Sequence, residues 1–136
     1  MGQQVREDVG MSQEETTESE GVRRRCELII HGASAAAGGA AALTLVPGAD
    51  SVVIMPIQVA MVAALAREYG IAPSASLVKS TVYASLGSIV GKAGAGVLLR
   101  IVPVAGNVVR ASVAFSVTEA LGHLVLDRLE KGDGLA

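Results

Sequence analysis

An apolar stretch from residue 28 to residue 66 places the strongest constraint on this chain, because Asp50 is its only formally charged side chain. The stretch is interrupted once, at VPGAD (46–50), where proline and glycine are typical of a turn between helices. The two arms are each about 16 to 19 residues long, near the lower limit for a helix that crosses a bilayer. Neither arm has a polar face, and such a helix is buried in protein or in lipid. The sequence therefore predicts a helical hairpin, with Pro47 and Gly48 in its turn and Asp50 capping its second arm.

The composition favours helices that pack closely. Hydrophobic residues make up 51% of the chain, but aromatic residues make up only 2%, and there are 16 glycines. Because large rings are nearly absent, the core must be built from Ala, Val, Leu and Ile. The net charge of -2 gives no general attraction to nucleic acid, so we expect no nucleic-acid partner.

The N-terminal segment, residues 1–26, differs sharply from the rest of the chain. Residues 1–22 carry six carboxylates among Gln, Ser and Thr, and such a segment cannot bury enough surface to offset its ordering entropy. We predict a disordered acidic tail. It ends in the basic sequence RRRC, in which Arg23, Arg24 and Arg25 are typical of the cytoplasmic flank of a membrane helix. The alternative is a basic first turn on a soluble helix.

A second unit resembling the first hairpin comes after it in the chain. The sequence EYGIAP predicts a helix end, with Gly70 as a left-handed cap and proline just beyond. A later turn, VPVAG with Pro103, repeats the Val-Pro-x-Ala pattern of the first turn, and the last helix is predicted over 107–131. We therefore predict an all-α fold of two glycine- and alanine-rich helical hairpins, about four helices, over residues 27–132. We also predict a flexible C terminus at residues 133–136.

The glycine-rich sequence GSIVGKAGAG, residues 87–96, could indicate a phosphate-binding loop. A Walker loop needs four residues between its first glycine and Gly-Lys, followed by Ser or Thr to reach the metal. Here three residues separate Gly87 from Gly91, and Ala93 follows Lys92. The dinucleotide fingerprint also lacks its third glycine. The sequence thus argues against phosphate binding and predicts no cofactor.

The same glycines fit a helix-packing surface instead. Gly87 and Gly91 form a GxxxG pair, which Ala95 extends at the next four-residue step. Ala35 and Gly39 have the same spacing in the first hairpin. Small residues at this spacing let two helix backbones approach closely, so we predict helix packing and self-association through these faces.

Candidate catalytic and metal-binding residues are few. Glu119, His123 and Asp127 share one face of the last helix, which fits either a metal or proton-relay site or a solvated polar stripe with helical ion pairs. The stripe is favoured, since only one of the three is a histidine. His31 is interpreted as a helix-end or interfacial histidine. We predict no catalytic residue, no metal ligand and no enzymatic activity.

Two stretches, LVPGADSVVIMPIQVAMVAALAREYGI and RIVPVAGNVVRASVAFSVTEALGHLVLDRL, resemble the bacterial family called domain of unknown function 697. The similarity lies in the order of a PGAD turn, a Pro-x-Gln helix with a Tyr-Gly stop, a glycine-rich helix, a second proline turn and a Thr-x-Ala-x-Gly helix. These motifs here are residues 47–50, Pro56 with Gln58, Tyr69 with Gly70, residues 87–96, Pro103, and Thr118 with Ala120 and Gly122. The sequence departs from the family at Val104, where the family has a second Pro-Gly.

The resemblance covers roughly residues 35–130 and implies a membrane-associated helical protein that often accompanies a GTPase domain. Because this chain has no GTPase motif, such a partner would be a separate polypeptide. The second hairpin fits a bilayer less well, since Lys92, Arg100 and Arg110 interrupt it. A charge near the centre of a spanning helix costs about 2.5 to 3.5 kcal/mol on insertion scales.

We therefore expect a non-enzymatic, membrane-associated helical-hairpin protein that forms a homo-oligomer. It would anchor, remodel or permeabilise a membrane, or serve a separate GTPase. The expected location is the cytoplasmic membrane, with the tail and the C terminus in the cytoplasm. The alternative is a soluble cytoplasmic protein, either a homo-oligomeric helical scaffold or a partner-binding module.

Overall fold

A computed structural model describes residues 2–43, 50–93 and 106–135 of the chain. The described residues form four helices and no strand: α1 (Gly2–Leu43), α2 (Asp50–Glu68), α3 (Ala75–Ala93) and α4 (Gly106–Glu130). The predicted all-α fold with about four helices is confirmed. The predicted turn residues Pro47, Gly48 and Pro103, and the predicted packing residue Ala95, lie outside the described residues.

Helix α1 contains both the acidic segment and the first apolar arm. The acidic segment, predicted as a disordered tail, is described from Gly2 onwards as part of this helix, and its side chains from residue 14 to residue 20 are exposed. From the end of the basic flank onwards, burial recurs every three or four residues, which makes one stripe along the helix. The buried residues of this stripe are Cys26, Ile30, Ser34, Ala37 and Ala41.

Helix α4 runs antiparallel to α1, and these two helices share the most extensive interface among the described elements. Arg23 of α1 pairs with Glu130 near the end of α4, whereas Gly38 of α1 lies against Ala111 near its start. Helix α2 packs against both α1 and α4, and α3 packs against α2 and α4. The fold is therefore a four-helix bundle built around the α1–α4 pair.

The connection between α2 and α3 is closed by local hydrogen bonds. Gly70 has a φ of 74°, the left-handed conformation that glycine adopts without strain. The N–H of Ile71 donates to the carbonyl oxygen of Ala66 at 3.0 Å, which satisfies one of the last free carbonyls of α2. The N–H of Leu77 donates to the hydroxyl of Ser74 at 3.2 Å and caps the start of α3.

The core is divided along the bundle axis. Its larger cluster includes Ile30, Leu65, Leu121 and Leu126, all of which are buried. A second cluster consists of three alanines, Ala37, Ala41 and Ala114, with Ile54 and Ile57 packed against it. Bulky side chains thus fill the half of the bundle near the ends of α2 and α4, and alanines fill the half near the α1–α2 connection.

Candidate functional site

Two histidines and two glutamates form a closed ring between α1 and α4. Glu27 and His31 are one turn apart on α1, and Glu119 and His123 are one turn apart on α4, so each pair shares one helix face. Because the helices are antiparallel, each histidine meets the glutamate of the other helix. Both histidines of the chain belong to this group, called here the His–Glu ring.

The distances define the ring. His31 Nδ1 lies 2.6 Å from Glu119 Oε1, and His123 Nε2 lies 3.0 Å from Glu27 Oε2. Within each helix, His31 Nε2 is 3.5 Å from Glu27 Oε2, and His123 Nδ1 is 3.5 Å from Glu119 Oε2. The two imidazole centroids are 6.3 Å apart. Acidic and basic groups therefore alternate around the ring, and each group has two neighbours of opposite character.

Solvent reaches the ring mainly from the histidine side. The side chains of His31 and His123 are 58% and 43% exposed, whereas that of Glu119 is 17% exposed. Partial burial of His123 disfavours its charged form, but the contacts with Glu27 and with Glu119 outweigh this effect and raise the pKa of His123. The glutamates thus favour the imidazolium form of this histidine.

The basic flank contributes further interhelix ion pairs at the same end of the bundle. Arg23 Nη1 lies 3.0 Å from Glu130 Oε1 of α4, and Arg25 Nε lies 2.8 Å from Glu68 Oε2 of α2. Arg24, between them, is exposed. Two of the three arginines predicted to flank a membrane helix therefore tie α1 to its neighbours, while Arg24 faces solvent.

The opposite end of the bundle is apolar and partly uncovered. Leu43, at the end of α1, is 83% exposed, and Val52, near the start of α2, is 75% exposed. Val53 and Phe115 are also exposed to a lesser degree. Residues 32–43 of α1 and 52–66 of α2 carry no formal charge. The α1–α2 hairpin is thus uncharged and partly bare at this end, although Arg110 of α4, half-buried next to Ala111, lies at the level of Gly38.

A few polar side chains are buried between these two ends. Gln58 Nε2 donates to Thr118 Oγ1 at 3.2 Å, joining α2 to α4. The hydroxyls of Ser34 and Ser85 are buried and have no hydrogen-bond partner among the described residues. The core therefore contains buried polar groups, although the sequence of these helices is nearly apolar.

An open groove between α2 and α3 is lined by apolar side chains and one cation. Its walls are Val52, Met55, Pro56, Val59, Ala60 and Ala63 of α2, with Lys79 and Tyr83 of α3. Both α3 residues are exposed. The groove leads from the charged half of the bundle, where α3 begins, towards the apolar half.

The predicted small-residue faces do not pack inside the chain. Ala35 and Gly39 of α1 are exposed, and so are Gly87 and Gly91 of α3. A Cβ added at Gly39, Gly87 or Gly91 would have no other atom within 4 Å. These faces are open surfaces, and within the described part of the chain they join no other helix.

Close approach between helices occurs instead at two other glycines. A Cβ at Gly38 would lie 3.2 Å from the carbonyl oxygen of Ala111. A Cβ at Gly122 would lie 2.7 Å and 2.8 Å from the two γ-carbons of Ile30. Among the described glycines, Gly122 is therefore the one at which a side chain would most strongly push α1 and α4 apart. Ala114, Thr118 and Gly122 follow one another at four-residue spacing and are all buried, so this small-residue pattern in α4 is the signal that could have indicated the contact.

The predicted polar stripe of α4 is divided between two roles. Glu119 and His123 belong to the His–Glu ring, whereas Asp127 pairs with Lys131 at 2.9 Å. Glu27 was not singled out in the sequence. The repeated Glu-x-x-x-His spacing in α1 and α4 is the signal that could have indicated it. Asp50 is the first residue of α2, but the contacts of its side chain lie outside what the structure describes.

The chemistry available to the ring is acid–base and electrostatic. Across residues 2–43, 50–93 and 106–135, no three His, Cys, Asp or Glu side chains are placed to hold a metal ion. The single thiol, that of Cys26, is buried, and burial raises its pKa to about 11, which leaves little nucleophilic thiolate. The site can therefore exchange protons and pair charges.

Comparison of the chain with protein-family models, with curated proteins and with solved structures found no match. The resemblance to domain of unknown function 697 thus stays a prediction. Among the described residues, one helix is long and apolar enough to cross a membrane, namely the part of α1 from Glu14 to Leu43. About one third of its most apolar window, 33%, is buried in the bundle. Core helices of soluble bundles share this composition.

Proposed function

We propose that this chain is a non-enzymatic, membrane-associated helical-hairpin protein whose apolar end enters the bilayer from the cytoplasmic side. The observation that carries the proposal is the uncharged, partly exposed α1–α2 hairpin at the end of the bundle opposite the interhelix ion pairs. The interhelix ion pairs cluster at one end, whereas the α1–α2 hairpin has no charge from residue 32 to residue 66 except Asp50. A bilayer surface offers the same division between a polar and an apolar medium.

The length of the apolar part sets how deep it would reach. Residues 32–43 of α1 rise about 17 Å at 1.5 Å per residue, roughly half of the ~30 Å hydrocarbon core. Leu43, Val52, Val53 and Phe115 would then meet acyl chains. Covering the exposed parts of these four side chains would contribute about 5 kcal/mol, at about 2 kcal/mol for each fully buried side chain.

The cations of the charged end support its position at an anionic, cytoplasmic surface. Arg24, Arg67 and Lys79 are exposed, and no ion pair holds them within the described residues. A basic residue close to an anionic leaflet contributes about 1 kcal/mol. Lys79 also lies at the α2–α3 groove beside Tyr83, and tyrosine favours the interface between headgroups and acyl chains.

The open face of α3 supports self-association of the membrane-bound form. Gly87 and Gly91 lie on an exposed face of α3 whose neighbours Ala84 and Ser88 are also small. Small residues at four-residue spacing allow a second helix to approach closely, where packing replaces the hydrophobic effect. We propose that copies of the chain meet through this face. Anchoring needs only insertion, whereas remodelling, permeabilising or serving a separate GTPase would build on the assembled form.

The alternative function is a soluble homo-oligomeric scaffold or partner-binding module. It is favoured by the bulky core around Leu65 and Leu121 and by ion pairs whose arginine side chains are exposed to water. In that case the same α3 face and the apolar end would be covered by other copies in the cytoplasm.

Fractionation of cells that express the protein separates the two functions. We expect the protein in the membrane pellet, resistant to alkaline carbonate and released by detergent. A variant with Leu43→Glu and Val52→Glu should move to the carbonate wash, because both side chains are exposed at the apolar end. The matched control is Leu28→Glu, which changes an equally accessible leucine (67% exposed) at the charged end and should stay in the pellet. A cytosolic oligomer that needs no detergent would refute membrane insertion.

A further inference from the structure

Both nitrogens of each histidine in the His–Glu ring face oxygen acceptors. His123 Nδ1 lies 2.9 Å from the backbone carbonyl oxygen of Glu119, and His123 Nε2 lies 3.0 Å from the carboxylate of Glu27. His31 Nδ1 lies 2.6 Å from the carboxylate of Glu119, and His31 Nε2 is 3.5 Å from that of Glu27. A neutral imidazole has one N–H and one lone pair, so it would direct the lone pair at an oxygen. Only the imidazolium form donates at both nitrogens.

We propose that Glu27, His31, Glu119 and His123 act as a proton-operated latch, which fastens α1 to α4 when both imidazoles are charged and loosens when they lose their protons. The charged ring is neutral overall, with two carboxylates and two imidazolium groups in alternation. Loss of both protons leaves two carboxylates facing neutral rings. Each neutral ring then turns one nitrogen lone pair towards an oxygen, so one contact of each histidine changes from attractive to repulsive. This inference goes beyond the proposed function and does not depend on a bilayer.

The groups around the ring come from α1 and α4. On α1, Arg23 is 4.0 Å from Glu27 and 3.0 Å from Glu130. Its positive charge therefore acts on Glu27, but its main partner is Glu130. On α4, Asp127 lies one turn beyond His123 and is paired with Lys131. The charged residue of α2 nearest to α1, Glu68, is paired with Arg25, and the described contacts of the ring include none from α3. Cys26, next to Glu27, is a buried thiol whose pKa of about 11 keeps it protonated in the folded protein over this range. Within the ring, the imidazoles rather than the carboxylates change charge between mildly acidic and alkaline pH.

The direction of the pH effect follows from the raised pKa of His123. A histidine whose pKa is higher in the folded state contributes stability that is fully present below its unfolded value, about 6.5, and is lost as the pH rises through the folded value. The latch is closed in mildly acidic solution and opens at alkaline pH. Opening weakens the α1–α4 interface at the end that carries the basic flank and leaves the Arg23–Glu130 pair in place.

The test uses the full chain in one buffer or detergent at pH 6.0 and pH 8.5. Urea unfolding, followed by circular dichroism, should show a larger unfolding equilibrium constant at pH 8.5, by up to roughly fivefold for the contacts of His123, the range of exposed ion pairs. The variant His31→Gln with His123→Gln should lose most of this pH dependence and keep only the small part that comes from ionisation of Cys26 in the unfolded chain at pH 8.5. Both side chains are partly exposed, so this variant is expected to fold.

Two further variants separate the latch from a general effect of charge. Arg25→Gln breaks an interhelix ion pair outside the ring and should lower stability equally at both pH values. Glu27→Gln removes the carboxylate that faces both Nε2 atoms and should lower the titration midpoint of the His123 ring protons in NMR spectra. Equal wild-type stability at the two pH values, or a Glu27→Gln protein with an unchanged midpoint, would overturn the proposal.

Discussion

Substitution of Gly122 by alanine tests the α1–α4 contact most directly. The new Cβ would lie 2.7 Å and 2.8 Å from the γ-carbons of Ile30 and 3.2 Å from its Cβ, whereas carbon atoms prefer about 3.5 Å or more. Ile30 is wholly buried, and a β-branched side chain in a helix has essentially one rotamer. Helix α1 must therefore move away from α4. Overpacking costs about 1 to 3 kcal/mol, and alanine regains about 1 kcal/mol of helix propensity. We expect a net loss near 1 kcal/mol.

A double-mutant cycle measured by urea unfolding identifies the cause. Ile30→Ala removes both γ-carbons and should lower the free energy of unfolding by about 2 to 5 kcal/mol in the wild-type protein. In the Gly122→Ala background the same substitution should cost about 1 to 2 kcal/mol less, because the clash is relieved. Ile30→Val keeps both γ-carbons, so it should show no such coupling. Gly32→Ala is the control, since its Cβ meets no atom within 4 Å, and should stabilise the protein by about 1 kcal/mol. If Gly122→Ala stabilises as much as Gly32→Ala, the close contact does not exist.

Three further outcomes test other parts of the molecule. The thiol of Cys26 is buried, which raises its pKa from 9.0 to about 11. A thiol reagent at pH 8 should therefore label the folded protein roughly 100-fold more slowly than the urea-unfolded chain. Equal labelling rates would place the thiol at the surface. Gln58→Leu leaves the buried Thr118 hydroxyl without its amide donor and should cost about 1 to 3 kcal/mol in urea unfolding, whereas adding Thr118→Val should recover most of this loss. A double variant as unstable as the single one would assign the cost to packing instead. Gly87→Leu with Gly91→Leu adds side chains in open space, so each chain should stay folded while the oligomer dissociates in sedimentation experiments; an unchanged oligomer would exclude this face.

Local signals predicted much of the secondary structure. The last helix was predicted over 107–131 and is found at Gly106–Glu130, and the second arm lies within Asp50–Glu68. These boundaries follow from proline, glycine and hydroxyl-bearing caps, which act on the backbone within a few residues. The candidate site was much less predictable. Its contacts join residues 88 and 96 positions apart in the chain, and no local pattern relates such residues.

The sequence by itself determined that this protein is helical, where α2 and the last helix begin and end to within about two residues, and that charge is absent from most of the first hairpin. Those properties depend on local backbone preferences and on composition. Only the tertiary structure decided how each helix is rotated about its axis. A helix without a polar face carries no signal for its rotation, so the sequence predicted a packing face at Ala35 and Gly39 without deciding whether it meets another helix of the chain or a second copy, and the structure exposes both residues. The rotation is set by the fit of Ile30 against Gly122. That fit also brings the two Glu-x-x-x-His pairs together, because they lie beside this contact on the same two helices.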